Sequence, residues 1–270
     1  MKERDHLLAI DIGNTNVHIG LFHDQLLVAR WRLATDVSRE RDDYGVALTV
    51  LFGRAGVNPH CIDDAVLGSV VPPLTPVFQE LLGEYCGVQP LIVRAGTRTG
   101  VKLLYDPLFE LGADRIAHAV AAHHLYGSPA IVVDFGTATT FDAIGHQGTY
   151  LGGAIGPGLG IAADALWQRT AQLKRINMSF PDRAIGRNTV EAVQSGLMFG
   201  HVGLTNEMID RFRGELTPDA HVIATGELAE MMADRIPAIQ HVNPDLALQG
   251  LRLIHELNLA RSGQKKGVPA

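Results

Sequence analysis

Near the start of the chain, residues 7–16 read Leu7-Leu8-Ala9-Ile10-Asp11-Ile12-Gly13-Asn14-Thr15-Asn16. An apolar run ends on a carboxylate, a small polar turn follows, and residues 17–22 begin a second apolar run, Val17-His18-Ile19-Gly20-Leu21-Phe22. Two such runs around a turn rich in Gly and Asn are typical of a β-hairpin. The sequence therefore predicts strand, tight turn and strand at this point.

The same pattern occurs a second time near the middle of the chain. Residues 130–142 read Ala130-Ile131-Val132-Val133-Asp134-Phe135-Gly136-Thr137-Ala138-Thr139-Thr140-Phe141-Asp142. Both copies contain Asp-x-Gly followed by Asn or Thr, and their aspartates are separated by close to half of the chain. This repetition indicates a duplication with one phosphate-facing hairpin in each half.

Composition favours a soluble, cytoplasmic protein. The 270 residues are 46% hydrophobic, which is enough for a sizeable core, and the net charge of −6 without a basic stripe argues against a nucleic-acid partner. The two cysteines, Cys61 and Cys86, have no metal or redox spacing and are expected to be free thiols in a reducing compartment. The N-terminus lacks the apolar core of a signal peptide, and no run of about 18 apolar residues predicts a membrane span.

Periodicity predicts three consecutive strands in each half, followed by helices that alternate with strands. After the first hairpin we expect strand 26–33, helix 42–53, strand 65–70, helix 74–85 and strand 91–93. In the second half we expect strands 131–134, 139–144 and 149–151, a glycine-rich loop 152–160, a helix from 161, helix 189–213, strand 222–224 and helix 244–259. Such alternation predicts a mixed or parallel sheet with helices packed on it.

The two hairpin turns have the composition of phosphate-binding turns. A side chain at Gly13 would prevent phosphate oxygens from approaching backbone N–H groups, and Asn14, Thr15 and Asn16 add side-chain donors. Asp11 would be repelled by phosphate, so we expect it to hold Mg²⁺ through water. An ordinary hairpin, in which the aspartate accepts from turn amides, is the alternative. The second copy favours the phosphate interpretation, and neither a P-loop nor a G-x-G-x-x-G motif is present.

A second chemical motif, Gly112-Ala113-Asp114-Arg115, begins a predicted helix that extends to about Tyr126. The helix N-terminus favours a nearby anion, Arg115 could bind a carboxylate or phosphate with two donors, and Asp114 could accept a proton from a hydroxyl. Alternatively, Asp114 complements the helix dipole and Arg115 makes a surface ion pair. The histidines of this helix lack a zinc-binding spacing and are expected on its surface: His118, His123 and His124.

Taken together and in order, the motifs resemble the type III pantothenate kinases of the actin-like ATPase superfamily. The motifs are the Asp11 turn, Tyr105 with Gly112–Arg115, the Asp134-Phe-Gly-Thr-Ala-Thr-Thr stretch, Leu151-Gly-Gly, and Gly186-Arg-Asn-Thr189, within a resemblance that spans residues 7–259. The resemblance implies an α/β fold of duplicated ribonuclease H-like domains, each a mixed five-stranded sheet flanked by helices. The expected bounds are 1–117 and 118–260, with a polar tail at 261–270.

The resemblance also implies a reaction and a set of site residues. The reaction is ATP-dependent phosphorylation of the terminal hydroxyl of pantothenate, the first step of coenzyme A biosynthesis, with Mg²⁺ and a monovalent cation (K⁺ or NH₄⁺), in a homodimer. Residues implied to contact ATP are Asp11, Ile12, Gly13, Asn14, Thr15, Asn16, Val17, His18 and Thr137. Those implied to bind pantothenate are Tyr105, Gly112, Ala113, Asp114, Arg115 and Thr189. Asp114 is implied as the general base and Asp134 as the ligand of the monovalent cation.

Four positions depart from the family pattern: Pro107-Leu108 after Tyr105-Asp106, His118, Lys174, and Glu227 in place of a glycine. None is an implied base, ion or phosphate residue, so the departures bear on nucleotide affinity more than on reaction type. Two alternatives stay open. The chain could be another actin-like small-molecule kinase or phosphatase, or a non-catalytic nucleotide-binding regulator.

Overall fold

A computed structural model describes residues 6–169 and 176–264. The chain divides into two compact units. The first comprises residues up to Ala121 together with those from Leu246 onward, and the second comprises Ala122–Asp245. Each unit contains one five-stranded sheet. No helix among the described residues has both the length and the apolar character needed to cross a membrane.

The first unit is built on a mixed sheet in the order β3-β2-β1-β4-β5. Strand β2 is antiparallel to β1 and β3, whereas β4 and β5 run parallel to β1. The strands are β1 (His6–Ile12), β2 (Asn16–His23), β3 (Leu26–Ala34), β4 (Asp64–Ser69) and β5 (Leu91–Ile92), and the helices are α1 (Arg41–Ala55), α2 (Leu74–Leu81), α3 (Ala113–Tyr126), which continues into the second unit, and α7 (Leu246–Gln264).

The second unit repeats this topology. Its sheet has the order β10-β9-β6-β7-β8, in which β6, β7 and β8 correspond to β1, β2 and β3. The strands are β6 (Ala130–Phe135), β7 (Ala138–Ile144), β8 (Tyr150–Pro157), β9 (His221–Thr225) and β10 (His241–Val242), and the helices are α4 (Leu159–Arg169), α5 (Thr189–Glu215) and α6 (Ala229–Ala233). The predicted duplication of mixed five-stranded sheets is confirmed.

Each sheet buries apolar side chains against its own helices. In the first unit, Ile10 and Ile19 of the sheet share a core cluster with Phe78 of α2, and all three are fully buried. In the second unit, Val133 and Phe141 share a cluster with Ile209 of α5. Burial of side chains of this size stabilises the fold by about 1.5–3 kcal/mol each. The long helix α5 is therefore fixed to the sheet that carries the second hairpin.

Residues 152–160 are where the sequence-based prediction of a loop is wrong. Strand β8 continues through the glycines to Pro157, and α4 begins at Leu159. Glycine weakens a strand, but the backbone of β8 pairs with β7 along nearly its whole length, from Tyr150 to Pro157. Gly152 has φ of +125° beside a register shift, so it accommodates the irregularity that lets this pairing continue.

The C-terminal helix is longer than predicted, because it ends at Gln264 rather than at residue 259. Helix α7 packs on β1, β2 and β4, and it belongs to the first unit rather than to the half of the chain in which its sequence lies. It extends to Gln264, so residues 261–264 of the predicted polar tail are helical. The domain bounds 1–117 and 118–260 remain our proposal. Lys174 and residues 265–270 lie outside the described residues.

The two cysteines give a direct test of the packing. Cys61 is exposed, whereas Cys86 is 5% exposed and burial raises the pKa of its thiol to about 11. Because the thiolate is the reactive form, we expect one thiol to react rapidly with Ellman's reagent at about pH 8 and both to react after denaturation. The native Cys61→Ser variant should show no rapid phase. Equal rates for the two thiols in the native protein would contradict the burial of Cys86.

Candidate active site

The first hairpin turn is held in place by its neighbours. The Gly13 N–H donates to the Asn16 carbonyl at 3.0 Å, and the Thr35 hydroxyl donates to the Gly13 carbonyl at 2.7 Å. The Val70 N–H donates to the carbonyl of Ile12 at 3.0 Å. A Cβ added at Gly13 would lie 3.1 Å from the Asn16 oxygen, so the turn is tight. The exposed side chains of this fixed turn include Asn14 and Thr15.

The second hairpin turn is enclosed by glycines from other elements. Gly226 follows β9 with φ of +91°, and a Cβ there would lie 2.3 Å from Oδ1 of Asp134. A Cβ at Gly136 would lie 3.3 Å from the same oxygen. A Cβ at Gly158, before α4, would lie 2.2 Å from the Thr137 carbonyl oxygen. The carboxylate of Asp134 and the backbone of Thr137 therefore occupy space that any larger residue at these positions would take.

On each of the two neighbouring strands, the register partner of Asp134 is a threonine: Thr140 of β7 and Thr225 of β9. The Thr140 hydroxyl is buried, and within the described part of the chain it makes no hydrogen bond. A carboxylate beside a hydroxyl whose lone pairs are not used fits a hard cation, which binds to oxygen. Among the described residues, no group of three or more His, Cys, Asp and Glu could hold a metal ion.

The start of α3 brings together most of the predicted pantothenate residues. The Arg115 N–H donates to Oδ1 of Asp114 at 2.7 Å, and a Cβ at Gly112 would lie 2.4 Å from the same oxygen. The Arg115 guanidinium lies 5.8 Å from the centre of the Tyr105 ring, and Arg115 is 6% exposed. Gly112 thus makes room for the carboxylate of Asp114 at the positive end of the helix, next to a buried cation.

His118 lies one turn after Asp114 on α3. It is 3% exposed, so the prediction of a surface position is wrong for this histidine. Residues 115–122 of α3 are all buried, so an amphipathic pattern that would separate a buried from a surface histidine is absent there. Of the other departures, Pro107 follows Asp106 through a cis peptide bond, and Glu227 is exposed beside Gly226.

Thr189 belongs to the second unit, at the first residue of α5. Asn188 accepts from the Glu191 N–H at 3.0 Å, while the Glu191 carboxylate accepts from the Arg187 N–H and from the Asn188 amide, both at 2.8 Å. This reciprocal cap fixes the helix start. Thr189 lines a cavity of about 650 Å³ together with Leu166, Gly186 and Val193. Thr189 therefore lines a mainly apolar cavity at a helix N-terminus.

Several residues that shape the site were missed by sequence reasoning. Gly158 lies in the predicted glycine-rich loop and Gly226 precedes the departure at Glu227, but their contacts with the second hairpin turn, which is distant in sequence, were not predicted. The cap at α5 was detectable, because Asn followed three residues later by Glu is a known helix-start pattern. His201, whose ring contacts Thr139 and Phe135, gave no signal at all.

Comparison with known proteins identifies the family. The family model described as type III pantothenate kinase matches residues 7–211. The chain belongs to the type III pantothenate kinase family. The member from Moorella thermoacetica is 47% identical over 252 residues, which is 93% of this chain and 99% of that protein. The member from Roseiflexus sp. (strain RS-1) is 48% identical over 252 residues, which is again 93% of this chain and 99% of that protein.

Solved structures agree with this fold. A Baf family protein from Campylobacter jejuni superposes with a TM-score of 0.60 at 20% identity, over 94% of this chain and 99% of that one. The inorganic polyphosphate/ATP-glucomannokinase of Arthrobacter sp. strain KM superposes with a TM-score of 0.50 at 16% identity, over 95% of this chain and 99% of that one. At such identities the likeness concerns the fold alone. The duplicated ribonuclease H-like architecture expected for the family is confirmed.

Proposed function

We propose that this chain transfers the γ-phosphoryl group of ATP to the terminal hydroxyl of pantothenate, forming 4'-phosphopantothenate at the first step of coenzyme A biosynthesis. The observation that carries the proposal is the start of α3, where a chain of this family places Asp114 next to Arg115 and Tyr105. Pantothenate has a carboxylate and a primary hydroxyl, so its site needs a cation or donors and a base. Arg115 and Thr189 supply the first requirement, and Asp114 supplies the second.

Asp114 acts as the general base. The hydroxyl oxygen attacks the γ-phosphorus, the bond from phosphorus to the bridging oxygen of ADP breaks, and the hydroxyl proton passes to the Asp114 carboxylate. The hydroxyl loses its proton late when the transition state is loose, so a strongly basic group is not needed. Oδ1 of Asp114 already accepts the Arg115 N–H, which fixes the orientation of the carboxylate. Positioning of this kind supplies a large part of catalysis in phosphoryl transfer.

The hairpins bind the nucleotide. Residues 11–18 and Thr137 contact ATP, and the tight Gly13 turn offers its backbone N–H groups to phosphate oxygens. Asp11 would hold Mg²⁺, which would neutralise charge on the phosphates. Asp134 would hold a monovalent cation, K⁺ or NH₄⁺, a role supported by the buried Thr140 hydroxyl on the adjacent strand. We place the reaction in the cytoplasm, where ATP is available as the donor.

Two copies of the chain form the active enzyme. This is supported by exposed apolar side chains in the second unit, among which Ile185 is 81% exposed and Ile155 is 65% exposed. Ile155 and Leu151 share the outer face of β8, which is the edge strand of its sheet. An exposed edge strand with apolar side chains is suited to association with another chain.

The monovalent cation can be tested separately from the reaction. With K⁺ replaced by Na⁺ at constant ionic strength, we expect wild-type kcat to fall, and we expect Asp134→Asn to have a low kcat in both salts. The charge of Asp134 is what offsets the cost of stripping water from the ion. Asp219→Asn, which changes an exposed carboxylate of the same unit, should retain the K⁺ stimulation. If Asp134→Asn is stimulated as strongly as the wild type, the ion is held elsewhere.

The choice of acceptor is tested with a panel at fixed Mg·ATP. We expect ADP release to be stimulated by pantothenate and not by glucose, mannose, N-acetylglucosamine or acetate. Stimulation by a sugar or acetate in preference to pantothenate would favour another actin-like kinase. Tight ATP binding with no acceptor-dependent ADP release would favour the non-catalytic nucleotide-binding regulator, an alternative that the departure at Glu227 keeps open.

A further inference from the structure

His201 of α5 contacts both strands that flank the second hairpin turn. Its Nε2 lies 2.9 Å from the hydroxyl oxygen of Thr139, at the start of β7, in a hydrogen bond whose donor depends on the imidazole tautomer. Its ring centroid lies 6.1 Å from that of Phe135, at the end of β6. All three side chains are buried: His201 is 7% exposed, and Thr139 and Phe135 are each 1% exposed. One side chain thus packs against the residue on each side of Gly136-Thr137-Ala138.

The contact joins the turn to a rigid element. Helix α5 has 27 residues, and its buried face belongs to the core cluster of the second unit. Thr139 is fixed on its other side by pairing with Gly156 of β8. The contact therefore supports the turn from α5, a helix that begins far from the hairpin in sequence.

Burial also determines the charge of this histidine. Removal from water lowers the pKa of His201, so the imidazole is neutral near pH 7. A neutral ring can exchange one hydrogen bond with Thr139 without placing a charge in the core. The hydrogen bond holds the Thr139 hydroxyl in place. The proposed mechanism assigns no other role to His201.

We propose that His201 is a positioning residue for the nucleotide: it holds Thr139, and through Thr139 it fixes the turn that presents Thr137 to ATP. The proposal rests on the proposed function in its assignment of Thr137 to ATP. We expect pantothenate binding to be independent of His201, because the cap that fixes Thr189 is made locally by Asn188 and Glu191.

The test compares ATP and pantothenate in variants of this pair. His201→Leu removes the hydrogen bond and fills the space of the ring with an apolar side chain. We expect it to raise KM for ATP about tenfold, which corresponds to the free energy of one lost buried hydrogen bond. KM for pantothenate should change less than about twofold. His201→Gln, which retains a polar group near the Nε2 position, should recover most of the ATP affinity. Thr139→Val should match His201→Leu, and the double variant should be no worse than either.

The matched control is Thr205→Val on the same helix. The Thr205 hydroxyl is buried and donates to the His201 carbonyl at 2.8 Å, so its loss should lower Tm without changing KM for ATP. If His201→Leu behaves like this control, with a lower Tm and an unchanged KM for ATP, the proposal is overturned. Failure of His201→Leu to fold would leave Thr139→Val and His201→Gln to decide between the two results.

Direct binding separates this proposal from the proposed function. Calorimetric titration with Mg·ATP needs no acceptor, and we expect Kd to rise about tenfold in His201→Leu. A wild type that binds Mg·ATP but does not phosphorylate pantothenate would contradict the proposed function while this comparison still stands. Equal Kd values for the wild type and His201→Leu would contradict the role of His201 alone.

Discussion

Asp114→Asn is expected to lower kcat for pantothenate phosphorylation by about 10²–10⁴-fold, which is the usual contribution of a general base. Asparagine has the shape of aspartate and keeps an oxygen that can accept the Arg115 N–H, so the start of α3 should remain in place. KM for both substrates should therefore change little. Steady-state kinetics with a coupled assay for ADP gives kcat and both KM values in one series.

The control for Asp114 is Glu110→Gln. Glu110 is an exposed carboxylate in the turn that precedes Gly112, so this substitution removes a negative charge near the same helix start. We expect its kcat to be within about twofold of the wild type, as for a surface change that touches no reacting group. An undiminished kcat in Asp114→Asn would remove this residue from the role of base and leave the family assignment standing.

Gly250→Ala should be strongly destabilising, although alanine is the better helix former by about 1 kcal/mol. Gly250 of α7 lies against α3, and an added Cβ would lie 2.0 Å from the carbonyl oxygen of Ala117 and 2.5 Å from its carbonyl carbon. Because the obstacle is backbone, the two helices would have to separate. We expect the free energy of unfolding to fall by about 3 kcal/mol, at the upper end of the usual cost of overpacking.

Gly53→Ala is the matched control for Gly250. Gly53 is an exposed residue of α1 in the same unit, and a Cβ there would have no atom within 4 Å. We expect its free energy of unfolding to rise by up to about 1 kcal/mol. Urea denaturation of the two variants should therefore give changes of opposite sign. Stabilisation by both substitutions would show that α3 and α7 do not pack as closely as described.

The two hairpins could be predicted from local sequence patterns, because the residues that form each hairpin lie close together in the chain. The turns at Gly13 and Gly136 and the start of α3 at Gly112 could each be located by composition and periodicity. The strand β8 could not, because its glycines favour a loop and only the pairing with β7 makes it a strand. Secondary structure of this kind depends on a partner that the segment itself does not encode.

The residues that pack around the site could not be predicted either, because they come from distant parts of the chain. Gly226 and Gly158 pack on Asp134 and Thr137 from distant parts of the chain, and their spacing follows from tertiary contacts. Likewise, α7 returns to the first sheet, where Leu251 lies close to Gly68. The motifs therefore identify the chemical groups of the site. The contacts that hold each group in place depend on tertiary packing, which the local sequence does not encode.

The central claim, that this chain phosphorylates pantothenate, is tested most directly by analysing both products of one reaction. Purified wild-type protein is incubated with ATP, Mg²⁺, K⁺ and pantothenate, and ADP and phosphopantothenate are quantified by liquid chromatography and mass spectrometry. We predict that the two products form in equal amounts and that neither forms at a comparable rate without pantothenate. ADP that forms without phosphopantothenate, or no turnover by protein that binds Mg·ATP, would contradict the account.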